Sequence, residues 1–175
     1  MKNIVKYPLN VFVDTSIVNN LLDLNETRLA DATWEANIKF IRILINGPVA
    51  SGKMSLYVNP SVKHQINSTP NKERRDGLLL KFEEFKFEEF NLTIFPFSFP
   101  ARFIAKEQGE LIDNLCKKYP NLEKDRKIIA DAAFNDKIDF LLTTDGDLAH
   151  QVRQIGNVRF MLPKELWDHY TSINK

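Results

Sequence analysis

The sequence predicts an α/β fold, a three-layer α/β/α sandwich with a mostly parallel central sheet. Short apolar segments alternate along the chain with longer segments of helical periodicity, and this alternation is typical of parallel strands connected by helices. The chain has 175 residues, of which 43% are hydrophobic and 27% charged, the balance of an ordinary globular protein. A chain of this length can bury a substantial core as one unit, so we predict a single domain over residues 1–175.

Five short apolar segments are predicted to be strands, because each has the length and character of a buried strand. They cover residues 10–13, 54–58, 92–97, 139–143 and 158–162. The segments between them carry apolar residues at helical spacing. The predicted helices cover residues 16–24, 30–47, 60–66, 73–89, 101–118, 122–135, 146–154 and 163–170. The polar stretch 69–77 is the segment best suited to an exposed connection.

Phenylalanine is frequent in the segment 78–99, whose periodicity is ambiguous. Phe82 and Phe85 fit a helix, whereas Phe85 and Phe87 alternate like strand residues. Packing in the core is the expected role of this segment, and a surface for self-association or for a partner is the alternative.

The cysteine content and the apolar segments bear on the compartment. Cys116 is the only cysteine, so no disulfide can form within the chain, which fits a reducing compartment. We interpret it as a small buried residue of a helix. The first ten residues lack the apolar stretch of a signal peptide, and no segment approaches the roughly 18 apolar residues that span a membrane. We therefore expect a cytoplasmic protein that does not associate with a membrane.

Residues 47–55, "GPVASGKMS", nearly match the phosphate-binding loop pattern G-x-x-x-x-G-K-[ST]. Met54 stands where the pattern needs a hydroxyl for Mg²⁺. The order of elements is also reversed, since such a loop follows a strand and begins a helix, whereas this segment follows a helix and begins a strand. We interpret it as a connecting turn without ATP binding.

Aspartates follow two of the predicted strands. Asp14 comes directly after "VFV", and Asp145 follows "FLLTT". The carboxyl ends of neighbouring parallel strands meet at one edge of a sheet, where ligands collect, so these carboxylates are expected to share a cleft. Asp125 begins a helical stripe of apolar residues, which should pack on the sheet and place this third carboxylate at the same edge. Asp147 lies two residues beyond Asp145 and is a fourth candidate.

Carboxylates that share a pocket repel one another unless a cation compensates. Mg²⁺ and Mn²⁺ prefer oxygen ligands and can activate water for attack on a phosphodiester. Zinc is less favoured, because Cys116 and the three histidines show no ligand spacing. Taken singly, Asp14 and Asp145 also fit helix caps, since both precede helical segments.

Three segments, "VFVDTSIV", "KDRKIIADAAF" and "DFLLTTDGDL", resemble in order and spacing the motifs of PIN-domain ribonucleases, the family that includes VapC-type toxins. The resemblance extends from residue 10 to about 162. It implies a parallel sheet between helices and an endoribonuclease dependent on Mg²⁺ or Mn²⁺. Asp14, Asp125 and Asp145 would be the catalytic, metal-binding acids, and Asp147 an auxiliary one. Thr143 would order the site through its hydroxyl, and Ser16 would take the small polar position after the first acid.

One position departs from the family pattern. PIN domains usually carry a glutamate on the helix after the second strand, and Gln65 stands at the matching position, with Glu35 as an alternative acid on the preceding helix. Two functions therefore remain open, an RNA-cleaving enzyme and an inactive PIN-fold module that binds RNA or a protein. The candidate protein partners are an antitoxin, as for VapC-type toxins, and a second copy of the chain. A phosphatase of the haloacid-dehalogenase type is less favoured, because Ser16 stands where its second aspartate would be.

Basic residues cluster around the third acid. The net charge of +1 gives no indication of a nucleic-acid partner, so only such local clustering can. A solvated helix face is one interpretation of the cluster, and neutralisation of RNA phosphates beside the acids is the other. The candidate RNA-binding residues are Lys117, Lys118, Lys124, Arg126 and Lys127.

Overall fold

The computed structural model describes residues 7–14, 17–18, 32–85, 87–89, 106–133 and 135–174. Within them, six strands form one sheet. They are β1 (Leu9–Val13), β2 (Met54–Val58), β3 (Glu88–Glu89), β4 (Phe140–Leu142), β5 (Gln154–Ile155) and β6 (Val158–Met161). The spatial order is β3-β2-β1-β4-β6-β5. Neighbouring strands are parallel except β5, which is antiparallel to β6. The predicted α/β fold with a mostly parallel sheet is confirmed.

Six α-helices can be given bounds in the described segments, together with three shorter helical turns. The α-helices are α1 (Ala32–Leu44), α2 (Pro60–Asn67), α3 (Lys72–Glu84), α4 (Lys106–Lys118), α5 (Arg126–Ala133) and α6 (Pro163–Ile173). The shorter turns are the π-helical Ile45–Val49, the 3-10 helix Pro120–Asp125 and the π-helical Leu148–Val152. No helix in the described part of the chain combines the length and the apolar character needed to cross a membrane.

Apolar side chains are buried on both faces of the sheet. In β1, Val11 and Val13 belong to one hydrophobic cluster, and Phe12 between them belongs to another, because successive side chains of a strand point to opposite faces. Residues of α1, α2, α3 and α6 complete the first cluster, and residues of α4, α5 and the 3-10 helix complete the second. The apolar stripe predicted after Asp125 is confirmed at Ile129 and Ala132, which are fully buried in the second cluster.

Local residue chemistry explains where several elements begin and end. Asn71 caps α3, since its side chain accepts a hydrogen bond from the N–H of Arg74 at 2.9 Å. Pro163 opens α6, where its missing N–H costs nothing. Between α1 and β2 the chain turns through Gly52, whose φ of +70° favours glycine. Residues 47–49 thus end the π-helical segment, residues 50–53 form a turn, and residues 54–55 begin β2, as expected for a connecting turn.

Most predicted boundaries in the described residues agree with the structure. The predicted strands 10–13, 54–58, 139–143 and 158–162 match β1, β2, β4 and β6 within one residue at each end, and Cys116 is buried in α4. The predicted strand 92–97 lies outside the described residues. So does most of the predicted helix 16–24, of which Ile17 and Val18 are described and helical. The prediction of a single domain stays a prediction.

Three predicted segments were wrong in part. Residues 69–77 are not wholly a connection, because α3 begins at Lys72 despite its polar, exposed surface. The predicted helix 73–89 ends at Glu84, and Glu88–Glu89 instead pair with the open edge of β2. Residues 146–154 are largely π-helical, and Gln154 pairs with β6 across a turn at Gly156, whose φ is +56°. Edge pairing depends on a distant strand, which local periodicity does not record.

Candidate functional site

Three adjacent strands each end directly before a buried polar residue. Asn59 follows β2, Asp14 follows β1 and Thr143 follows β4, and their exposed fractions are 4%, 6% and 0%. The three residues are far apart in the sequence, but their strands are neighbours in the sheet, in the order β2-β1-β4. The recorded pairs end at Phe12 with Tyr57 and at Val13 with Leu142. Extending the register by two residues on one side and by one on the other brings Asp14 opposite Asn59 and Thr143. A row of amide, carboxylate and hydroxyl therefore lies at the carboxyl edge of the sheet.

The Thr143 hydroxyl connects two of the predicted acids. It donates a hydrogen bond to Oδ2 of Asp14 at 3.0 Å, and its oxygen accepts the backbone N–H of Asp145 at 3.0 Å. The N–H of Asp14 donates to the carbonyl of Leu142 at 2.9 Å, which holds the ends of β1 and β4 together. A buried hydrogen bond to a carboxylate is among the stronger ones. This geometry orients Asp14 and fixes the start of the turn that carries Asp145.

Asp145 caps the helical turn that follows β4. Its Oδ1 accepts the N–H groups of Asp147 at 2.8 Å and Leu148 at 3.1 Å, and its backbone carbonyl accepts the N–H of Ala149 at 3.0 Å. The helix-cap alternative is therefore confirmed for this aspartate. In the described residues, Oδ2 of Asp145 accepts no hydrogen bond, so one oxygen of a half-buried carboxylate remains for a ligand.

Asp147 bridges two elements at the same edge. Its exposed carboxylate accepts hydrogen bonds from the side-chain amides of Gln151 at 2.8 Å and Asn121 at 3.2 Å. Gln151 lies one helical turn further on, whereas Asn121 belongs to the 3-10 helix. Both oxygens are thus engaged with protein donors. Asp147 brings the 3-10 helix, which ends at Asp125, next to the turn of Asp145.

The direction of α5 also indicates that the backbone of Asp125 lies at the carboxyl edge of the sheet. At the far end of α5, the carbonyl oxygen of Ala133 lies 3.4 Å from the position that a Cβ on Gly156 would occupy. Gly156 is in the turn that enters β6, at the amino edge of the sheet. The helix thus runs from the carboxyl edge, where Asp125 precedes its first turn, back to the amino edge.

Most of the remaining predicted residues lie in helical segments. Gln65 lies in α2, six residues after Asn59. Lys124 lies in the 3-10 helix, and Arg126 and Lys127 lie at the start of α5. Lys117 and Lys118 are exposed at the end of α4, and Nζ of Lys118 lies 5.1 Å from the ring centroid of Tyr119. Ser16 lies outside the described residues.

The side-chain atoms at this edge that could coordinate a cation are oxygen atoms. Carboxylates of Asp14 and Asp145, the hydroxyl of Thr143 and the amide of Asn59 suit a hard cation such as Mg²⁺ or Mn²⁺ better than zinc. Among the described side chains, however, no group of three or more His, Cys, Asp or Glu is arranged to hold a metal ion.

Sequence reasoning missed Asn59 and Asn121. The signal for Asn59 was present, since it follows the strand 54–58 directly, as Asp14 follows 10–13. Asparagine carries no charge, so it does not stand out as the aspartate after 10–13 does. Asn121 carries no local signal, because its role comes from a contact with Asp147, 26 residues away.

Comparisons with known proteins return no matching family model, no matching curated sequence and no matching solved structure. The resemblance to PIN-domain ribonucleases therefore stays a prediction from the three segments that carry it.

Proposed function

We propose that this protein is a PIN-like endoribonuclease that hydrolyses phosphodiester bonds in RNA with the help of Mg²⁺ or Mn²⁺. The observation that carries the proposal is the buried Asp14 at the carboxyl edge, held by Thr143 and linked through that hydroxyl to Asp145. A buried carboxylate is costly unless it is hydrogen-bonded or paired with a cation. Its position after a parallel strand is where ligands bind in α/β folds.

In this proposal the residues divide the work between holding the ion and positioning the RNA. Asp14, Asp145 and the segment ending at Asp125 would hold Mg²⁺ or Mn²⁺. When bound, such an ion activates a water molecule and stabilises negative charge on the phosphate. Thr143 keeps Asp14 in one orientation, and the exposed Lys117 and Lys118 neutralise RNA phosphates next to the 3-10 helix.

The finer architecture belongs to the same proposal. A three-layer sandwich of the PIN type is supported by helical residues in both hydrophobic clusters, one on each face of the sheet. We also propose a single domain that acts in the cytoplasm, with an antitoxin protein or a second copy of the chain as its protein partner.

A cleavage assay tests the enzyme. Labelled single-stranded RNA should be cut in the presence of Mn²⁺, and cutting should stop in EDTA. Asp14→Asn should abolish cutting while RNA binding persists, because the charge but not the shape is lost. Asp139→Asn is the matched control, since that exposed aspartate accepts the N–H of Asn10 at the opposite edge of the sheet. A folded wild-type protein that binds Mn²⁺ but leaves RNA intact contradicts the proposal.

A second candidate function is an inactive PIN-like module that binds RNA or a protein. It is favoured by the engagement of Asp145 as a cap and of Asp147 with two amides, which leaves few carboxylate oxygens for a cation. Gln65 also stands where the resemblance implies an acid. Cleavage by the wild-type protein in Mn²⁺ separates the two functions. An enzyme with a weak metal site cuts RNA and should cut it faster as Gln65→Glu, whereas a module that lacks activity because Gln65 is neutral should bind RNA without cutting it until Gln65→Glu restores the charge.

A further inference from the structure

Asn59 is a buried polar side chain that the resemblance does not account for. It is 4% exposed and follows β2 directly, whereas the position related to the family glutamate is Gln65, six residues later. Its burial is unusual, since asparagine is mostly an exposed residue. A buried amide has to be matched with polar neighbours.

The strand register puts Asn59 beside Asp14. In the pairing of β1 with β2, Val11 lies opposite Leu56 and Phe12 lies opposite Tyr57. Two further residues along both strands bring Asp14 opposite Asn59. Neighbouring strands lie about 4.8 Å apart, which is within reach of a short amide and a short carboxylate.

Both side chains also belong to the same face of the sheet. Phe12 and Tyr57 contribute to the second hydrophobic cluster, and Leu56 and Val58 to the first. Because side chains alternate along a strand, Asp14 and Asn59 project from the face of Phe12 and Tyr57. Thr143 shares this face, since Leu141 belongs to the second cluster and Leu142 to the first. The α4 helix, the 3-10 helix and α5 cover the same side.

We infer that Asn59 is a positioning residue of the Asp14 site, the counterpart on β2 of Thr143 on β4. Its amide lies next to the Asp14 carboxylate on the second side and adds no charge there. A neutral residue is suited to this position, because a carboxylate there would repel Asp14 when no cation is bound. The role toward a bound cation rests on the proposed function, but the proximity of the two side chains does not.

A helix cap is the competing role for Asn59. It precedes Pro60, the first residue of α2, and its backbone carbonyl accepts the N–H of Val62 at 2.9 Å. Asparagine, aspartate and serine all cap helices well, and a negative charge at a helix N-terminus is favourable. If Asn59 acts only as a helix cap, Asn59→Asp should therefore leave the melting temperature unchanged or raise it.

The test is a double-mutant cycle of Asn59→Asp and Asp14→Asn, with Asn59→Ser as the cap-preserving control. In EDTA, Asn59→Asp should lower the melting temperature by roughly 2–6 °C through repulsion from Asp14. On the Asp14→Asn background the same change should cost nothing, because the swapped pair again has one carboxylate and one amide. In Mn²⁺, Asn59→Asp should increase the metal-induced shift above that of wild type.

Each outcome decides between the two roles. If Asn59→Asp does not fold alone, folding of the swapped double variant supports the inference, and failure of both overturns it. Equal effects of Asn59→Asp on both backgrounds also overturn it and leave Asn59 as a cap. If the two changes are coupled in EDTA but the wild-type protein neither binds Mn²⁺ nor cuts RNA, the inference is supported and the proposed function is rejected. If the wild-type protein cuts RNA but the two changes are not coupled, the proposed function is supported and the inference is overturned.

Discussion

The hydroxyl of Thr143 donates a hydrogen bond to the carboxylate of Asp14 at 3.0 Å, across a separation of 129 residues in the chain. Neither residue is accessible to bulk solvent to more than 6%. The bond joins the ends of two adjacent strands, and the same hydroxyl accepts the N–H of Asp145. The orientation of Asp14 and the course of the turn after β4 therefore depend on one oxygen atom.

Thr143→Val should destabilise the protein by about 1–3 kcal/mol, because a buried carboxylate and a backbone N–H each lose a partner while the side-chain volume is kept. The free energy of unfolding, from urea denaturation, measures the loss. Thr143→Ser is the control, since it keeps the hydroxyl and should cost less than the valine variant. Equal stability of the valine variant and wild type would show that the bond contributes nothing.

Mn²⁺ should raise the melting temperature of the wild-type protein by mass action, because it binds the folded state. Asp14→Asn and Asp145→Asn should each remove this increment. Asparagine can still cap the turn after β4, so Asp145→Asn tests the charge with the helix cap retained. Thermal unfolding at increasing Mn²⁺ is the measurement, and Asp139→Asn at the opposite edge should keep the full increment. Calorimetry without saturable binding at millimolar Mn²⁺ would rule out the metal site.

Asp147→Asn should keep most of the Mn²⁺ increment, because both oxygens of Asp147 are already engaged by Asn121 and Gln151. Its expected role is to hold the 3-10 helix against the turn of Asp145. The comparison is the metal-induced shift of this variant against that of Asp145→Asn. Complete loss of the shift in Asp147→Asn would instead make Asp147 a metal ligand, as the sequence resemblance implies.

Stability should fall as the pH is lowered through the range of histidine titration, partly because of His169. Burial, and secondarily the Arg159 guanidinium, hold the pKa of His169 below the usual 6.5. The unfolded state therefore binds more protons than the folded state between the lowered pKa and 6.5. Consequently the free energy of unfolding decreases as the pH falls below about 6.5, until the folded state also becomes protonated.

His169→Phe should reduce that pH dependence, because phenylalanine cannot titrate and can retain the ring contact with Phe140, now at 5.2 Å between centroids. Urea unfolding between about pH 7.5 and 5.5 gives the slope of the free energy of unfolding against pH. In this range histidines titrate more than carboxylates do. His64→Gln, at an exposed position of α2, is the control. An unchanged slope in His169→Phe would show that another group causes the dependence.

The core strands and the helices that pack on them could be predicted from local patterns, for a physical reason. A buried strand such as "MSLYV" needs apolar residues in a short run, and an amphipathic helix such as α5 needs them at helical spacing. Both requirements are met by residues close in sequence. The acids at the ends of β1 and β4 could be recognised in the same way, since their position relative to a strand is also local.

Strand pairing and side-chain contacts between distant segments depend on the assembled sheet and could not be predicted from local patterns. Glu88–Glu89 became a strand because the edge of β2 was open to them, and Asn121 became part of the site region because Asp147 lies within reach of its amide. The same applies to Asn59, Asp14 and Thr143, whose row exists because β2, β1 and β4 are neighbours in the sheet. A hydrogen bond acts over about 3 Å. Residue identity therefore supplies the polar groups, and the order of strands determines which of them meet.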